Sequence, residues 1–121
     1  MDNSQKKILV VDDDPDILAF IEAMLEDAGY TVKTIDKGDY LEQLQAGGAP
    51  QVIVLDMLLS GSDGRKIISQ LKSQEETRRI PIILTSAHPS AEKEALAYGA
   101  DDFLAKPFEM DDFLAKVAKY A

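Results

Sequence analysis

Residues able to do chemistry fall at four separated places in this chain: Asp12-Asp13-Asp14, Asp56, Thr85 followed by Ser86, and Lys106 before Pro107. There is no cysteine, so disulfides, thiolate metal sites and cysteine nucleophiles are excluded together. The one histidine, His88, precedes Pro89 with no visible partner. If Asp12, Asp13 and Asp56 share a pocket, their charges cannot all stand unaided. At an effective dielectric of ~20, two charges ~4 Å apart repel by about 4 kcal/mol. Either one carboxyl keeps its proton or a cation joins them. Oxygen ligands alone call for a hard ion, Mg²⁺ or Ca²⁺. The Asp12-Asp13-Asp14 run lacks the alternate spacing and central glycine of an EF-hand loop. Mg²⁺ fits better, because a few carboxylates plus water suit it and it works beside phosphate. Thr85 and Lys106 would then offer a hydroxyl and a point charge to phosphoryl oxygens. An aspartate so surrounded is equipped to be phosphorylated.

These positions can meet only if the elements between them bring them together. Ile8-Leu-Val-Val11, Val52-Ile-Val-Leu55 and Ile80-Pro-Ile-Ile-Leu84 are unbroken apolar runs, as expected of strands buried on both faces. Each runs into one of the reactive groups, and Asp102-Phe-Leu-Ala105 runs into Lys106. Tyr30 to Ile35 alternates like a strand. Asp14 is the expected N-cap of a first helix with Pro15 at its first position. Ile17, Leu18, Ile21, Met24, Leu25 and Ala28 follow at three- and four-residue steps, and Gly29 closes it. A short second helix carries Tyr40, Leu41 and Leu44 and stops at Gly47-Gly48. A third begins near Gly64 with Ile67, Ile68 and Leu71 on one face, and Ser73 to Arg79 is a connection. The fourth, from about Ser90 to Tyr98, has a thin apolar face with Leu96 as its only large aliphatic, helped by Ala91, Ala95 and Tyr98. The last places Met110, Phe113, Leu114 and Val117 on one side.

Five strand–helix units in alternation predict a doubly wound (βα)5 domain, a five-stranded parallel sheet with helices on both faces and right-handed crossovers. Open sheets of this kind hold their ligands at the carboxyl ends of the strands, where the reactive residues fall. At 121 residues the chain is long enough for one domain, 1–121, to bury most of its apolar surface. Thirteen basic against 22 acidic residues give −9, which argues against nucleic-acid binding by this domain. The amino terminus meets only four apolar residues in a row, too few for a signal peptide or a membrane span.

With these residues in view, the chain resembles the receiver domain of two-component response regulators, of the kind typified by chemotaxis regulators, over essentially its whole length. The resemblance rests on Ile8-Leu-Val-Val-Asp-Asp13, Val54-Leu-Asp56 with Gly61 and Asp63-Gly64, Ile82-Ile-Leu-Thr85, and Gly99-Ala-Asp-Asp-Phe-Leu-Ala-Lys-Pro-Phe108. It implies a flavodoxin-like three-layer α/β/α fold in a cytoplasmic signalling protein, not an enzyme acting on an outside substrate. It implies that Asp56 accepts a phosphoryl group from a phosphohistidine of a sensor histidine kinase or histidine phosphotransfer protein. Asp13, Asp56 and the backbone carbonyl of Leu58 would bind Mg²⁺, with Asp12 acting through water. Thr85 and Lys106 would contact the phosphoryl oxygens, and Phe103 takes the place of the switch aromatic. The Lys106–Pro107 bond is expected to be cis. The output would be a change in the surface of the fourth helix, fifth strand and fifth helix, read by an effector or used for homodimerisation.

Three departures from the family's usual pattern involve four positions. Ser60 stands where proline is common, and Ser86 replaces a more usual Ala or Gly but stays small. Leu58 and Ala87 are apolar where the family tunes access of hydrolytic water, which implies a long-lived phosphoryl state. Three other classes fit less well. An aspartyl-phosphate hydrolase usually has a second acid two residues after the nucleophile, where this chain has Leu58. A flavin-binding domain needs a phosphate loop after its first strand, where this chain has three acids. A pseudo-receiver that is never phosphorylated sits poorly with the complete set of acids, Thr85 and Lys106.

Overall fold

The computed structural model describes residues 6–35, 50–59 and 62–121. The helix read over Tyr40, Leu41 and Leu44 lies outside the described residues, as do Ser60 and Gly61. In chain order the elements are β1 (Lys7–Val11), α1 (Pro15–Asp27), β2 (Thr31–Ile35), β3 (Val52–Asp56), β4 (Leu58–Leu59), β5 (Ser62–Asp63), α2 (Gly64–Ser73), β6 (Ile82–Ser86), a 3-10 turn (Pro89–Ala91), α3 (Glu92–Ala97), β7 (Asp102–Ala105) and α4 (Met110–Tyr120).

Five of the strands form one parallel sheet in the order β2-β1-β3-β6-β7. The order reverses between β1 and β3, the point at which a doubly wound sheet opens a crevice at its carboxyl edge. The apolar runs are explained by burial on both sides. Leu9, Val11, Ile53, Leu55, Ile82, Leu84 and Phe103 pack with α2 and with Ala91 and Ala95. Ile8, Val10, Val52, Val54, Ile83 and Leu104 pack with Leu18, Ile21, Met24 and Leu25 of α1 and Phe113 and Val117 of α4. Each fully buried aliphatic contributes about 1.5–3 kcal/mol, so the two layers together fix which way every strand faces.

The local signals hold in detail at α1. Asp14 caps it, its carboxylate accepting from the N–H of Asp16 at 2.9 Å and of Ile17 at 3.4 Å. Pro15 takes the first position. Gly29 has φ 98°, a left-handed conformation that ends the helix and that glycine adopts without strain.

Two packing expectations are corrected. Leu96 does not anchor the fourth helix and is 48% exposed. Ala91 and Ala95, four residues apart, set the inward face, and Leu96 lies about 100° further round. The helix is also shorter than expected, a 3-10 turn followed by six residues. Met110 is likewise exposed, at 49%, while Phe113 and Val117 are buried. As the first residue of α4 it lies in an outer groove with Phe20, Ala23, Met24 and Leu114 rather than under the sheet. The segment after Asp56, expected as a loop, contains a small antiparallel ladder pairing Leu58 with Asp63 and Leu59 with Ser62.

Candidate functional site

Strand register brings the reactive residues into line. Val11 pairs with Leu55, so Asp12 and Asp56 follow one step on in adjacent strands. Asp56 pairs with Thr85, and Ser86 with Ala105, so Lys106 follows one step beyond β7. The alternation of each strand, continued, puts Asp12, Asp56, Thr85 and Lys106 on the α1/α4 side of the sheet. Phe103 falls on the other side, 6% exposed, beneath Ala91 and Ala95. Backbone bonds lock the edge: the Met57 N–H donates to the Thr85 carbonyl at 2.8 Å, and the Lys106 N–H to the Ser86 carbonyl at 2.7 Å. The Lys106–Pro107 peptide is cis, as expected.

Lys106 reaches back across the ends of β6 and β3. Its Nζ lies 2.8 Å from Asp12 Oδ2 and 3.3 Å from Asp56 Oδ1. Asp12 is 2% exposed, and its other oxygen accepts from the Asp14 N–H at 3.0 Å. Carboxylate oxygens of Asp12, Asp13 and Asp56 all lie within 4.8 Å of one another. Burial, helped by the charges of Asp12 and Asp13, pushes the Asp56 carboxyl above its ordinary value of 3.8 despite the opposing pull of Lys106. Burial lowers the Lys106 ammonium, but its bonds and charge contacts with Asp12 and Asp56 outweigh that, and the net shift is upward. Two buried acids, Asp12 and Asp56, share one lysine, and the more exposed Asp13 brings a third carboxylate beside them, more negative charge than the Lys106 ammonium alone cancels. The all-oxygen donors, their spacing and the surplus fit a hard divalent ion, with Mg²⁺ the better match.

The remaining expected residues fall close by. Thr85 is 2% exposed at the end of β6. Leu58 opens the short ladder two residues after Asp56. His88 is exposed outside the acid cluster, and its backbone N–H donates to Ser86 Oγ at 3.0 Å. Two residues carry more than the sequence reading gave them. Gly64 sits against the chain at Asp56: a Cβ there would come 2.7 Å from the Asp56 carbonyl oxygen and 2.8 Å from Met57 Cα. Its N–H donates to the Met57 carbonyl at 2.7 Å. Arg65 follows it and reaches α3. The signal for Gly64 was its place directly after Asp63 at the start of a helix, where close approach requires glycine.

An open α/β sheet with a crowded acidic pocket at its switch point, bridged by one lysine, defines a signalling domain suited to phosphorylation and Mg²⁺ binding. Residues 8–118 match the response regulator receiver domain, and the chain belongs to that family. It is similar to the DNA-binding dual master transcriptional regulator RpaA of Synechocystis sp., 34% identical over 113 residues, 92% of this chain and 47% of that protein. The chain spans about half the length of that relative. Among solved structures it is similar to the chemotaxis protein CheY4 of Vibrio cholerae, with a TM-score of 0.88 and 27% identity over 98% of this chain and 100% of that one. It is also similar to the response regulator TrrA of Thermotoga maritima, solved in complex with Mg²⁺-BeF, with a TM-score of 0.85 and 26% identity over 97% and 100% of the two chains. No helix among the described residues is long and apolar enough to cross a membrane.

Proposed function

We propose that Asp56 is the phosphoacceptor of a His-Asp phosphorelay and that residues 1–121 act as one receiver domain. The observation that carries this reading is that the buried carboxylates of Asp12 and Asp56 share the one ammonium of Lys106, with a carboxylate oxygen of the more exposed Asp13 within 4.8 Å. A structural ion pair needs no surplus. A site that must take up a cation and then a phosphoryl group does.

In the reaction, a carboxylate oxygen of Asp56 attacks the phosphorus of a phosphohistidine from a sensor histidine kinase or phosphotransfer protein. The new O–P bond forms as the P–N bond breaks, and the imidazole leaves. Burial makes the Asp56 carboxylate more basic than an exposed one and so a better nucleophile. Asp12, Asp13, Asp56 and the Leu58 carbonyl would hold Mg²⁺, which when bound offsets the charge of the incoming phosphoryl oxygens. Lys106, already poised between two carboxylates, can turn one of its three donors to a phosphoryl oxygen. The Thr85 hydroxyl is a second donor, and Phe103, packed under α3, links that strand end to the output surface of α3, β7 and α4. The domain thus catalyses its own phosphorylation and dephosphorylation and turns over no outside substrate. Output runs through a downstream effector or a homodimer at that surface, in the cytoplasm. Leu58 and Ala87 offer no group to orient hydrolytic water, so the phosphoryl state is long-lived. A half-life of only seconds in the purified protein would contradict that.

Intact-mass measurement after acetyl phosphate tests the reading. One phosphoryl adduct is expected with Mg²⁺, and none without the metal or in Asp56→Asn. An unmodified wild type would favour a pseudo-receiver.

A further inference from the structure

We propose that Arg65 is a clasp that carries the state of Asp56 to α3, by a route separate from Thr85 and Phe103. The proposal rests on the reading of Asp56 as phosphoacceptor. The route starts at Gly64, which is packed directly against the backbone of Asp56 and Met57. Its position is set by the 2.7 Å bond to the Met57 carbonyl and by backbone contacts that leave no space for a Cβ. The antiparallel ladder between β4 and β5 pairs Leu58, two residues after Asp56, with Asp63, directly before Gly64. A shift of the chain at Asp56 must therefore pass into the first turn of α2.

Arg65 is the next residue. Its Nη1 donates to Glu94 Oε2 at 2.6 Å, and its guanidinium carbon lies 5.7 Å from the centre of the Tyr98 ring. Glu94 and Tyr98 are four residues apart and share one face at the end of α3. One planar cation thus grips the helix twice, by an ion pair and by a cation–π contact.

The helix it grips has little else holding it. α3 has six residues, no side-chain cap at its start, and Ala95 as its only buried residue. Leu96 and Tyr98 are exposed. Phe103 is buried against Ala91 and Ala95, on the inside of the helix. The clasp is the more exposed connection, with Arg65 and Glu94 side chains 31% and 56% accessible. An exposed pair is weak and opens easily, which suits a contact meant to be broken and remade.

Amide exchange over residues 92–98, with and without acetyl phosphate and Mg²⁺, tests this in wild type, Arg65→Ala and Glu94→Gln. Both variants should exchange about two- to five-fold faster there before phosphorylation, as expected for loss of an exposed ion pair. The phosphorylation-dependent change over 92–98 should shrink in both, with the mass adduct on Asp56 still formed. Arg65→Lys, which keeps the charge but not the planar fork, should fall between. A full adduct with the same exchange response in wild type and both variants would overturn the clasp and leave the phosphoacceptor reading intact. No adduct on the wild type would overturn both.

Discussion

Two aspartates at opposite edges of the sheet, each bound to a lysine, show how surroundings decide what a residue can do. Asp102 opens β7 and Asp56 closes β3. Asp102 meets Lys116 Nζ at 2.8 Å, its own neighbour's Phe103 N–H at 2.8 Å and the Tyr120 hydroxyl at 3.1 Å. Burial pushes its carboxyl up, but those three donors and the Lys116 charge hold it below its ordinary value. Asp56 has a longer contact to a lysine it shares with Asp12, and burial together with two nearby acids pushes it up. Asp102 is a satisfied structural acid. Asp56 is an acid in excess, and the excess is what a cation and a phosphoryl group can answer.

The contrast is sharpest in reactivity. With acetyl phosphate and Mg²⁺, Asp56→Asn should lower the intact-mass adduct to background, while Asp102→Asn keeps it. Equal losses would erase the distinction.

Removing the lysines comes next. Lys106→Ala leaves Asp12 and Asp56 buried without their cation and should cost about 3 kcal/mol in urea unfolding. Lys116→Ala leaves Asp102 two other donors and a partly exposed setting, and should cost about 1 kcal/mol or less. Close to the same size is the response to metal. Mg²⁺ at a hundredfold over its dissociation constant should stabilise the wild type by ~2.7 kcal/mol. Asp102→Asn should keep that gain, and the Asp12→Asn/Asp56→Asn double variant should lose it.

The smallest effects are the ones with opposite sign. Because the folded state raises Asp56, the protonated form favours folding, and that contribution is lost as pH rises through the raised value. Because the folded state lowers Asp102, its contribution is present above the ordinary 3.8 and lost as pH falls through the lowered value. At neutral pH without metal, Asp56→Asn should therefore be more stable than wild type and Asp102→Asn less, each by about 1 kcal/mol. Both gaps should close on acidification, and thermal melts of the three proteins across that range would check it.

Much of this was legible from residue order. Continuous apolar runs ending in Asp12, Asp56, Thr85 and Lys106 announced a parallel sheet and its functional edge, because a strand buried on both faces must be apolar along its whole length. The cap at Asp14 and the stop at Gly29 were equally plain, being set by local chemistry. Leu96 and Met110 were misread, because spacing says which residues share a face but not which face turns inward. At α3 the two alanines read as helpers, Ala91 and Ala95, met the sheet, and the leucine did not. The seating of Gly64 on Asp56 and the reach of Arg65 to Glu94 and Tyr98 depend on chain segments distant in sequence, and no periodicity encodes them. The pairing of Asp102 with Lys116 and Tyr120 was hidden for the same reason.

The central claim is that one particular aspartate becomes the acyl phosphate. Borohydride reduces an aspartyl phosphate to homoserine, so peptide mapping of the phosphorylated and reduced protein reads the site directly. Homoserine at position 56 alone is the predicted result. Homoserine at 12 or 13, or an adduct that survives reduction unchanged on another residue type, would contradict the account.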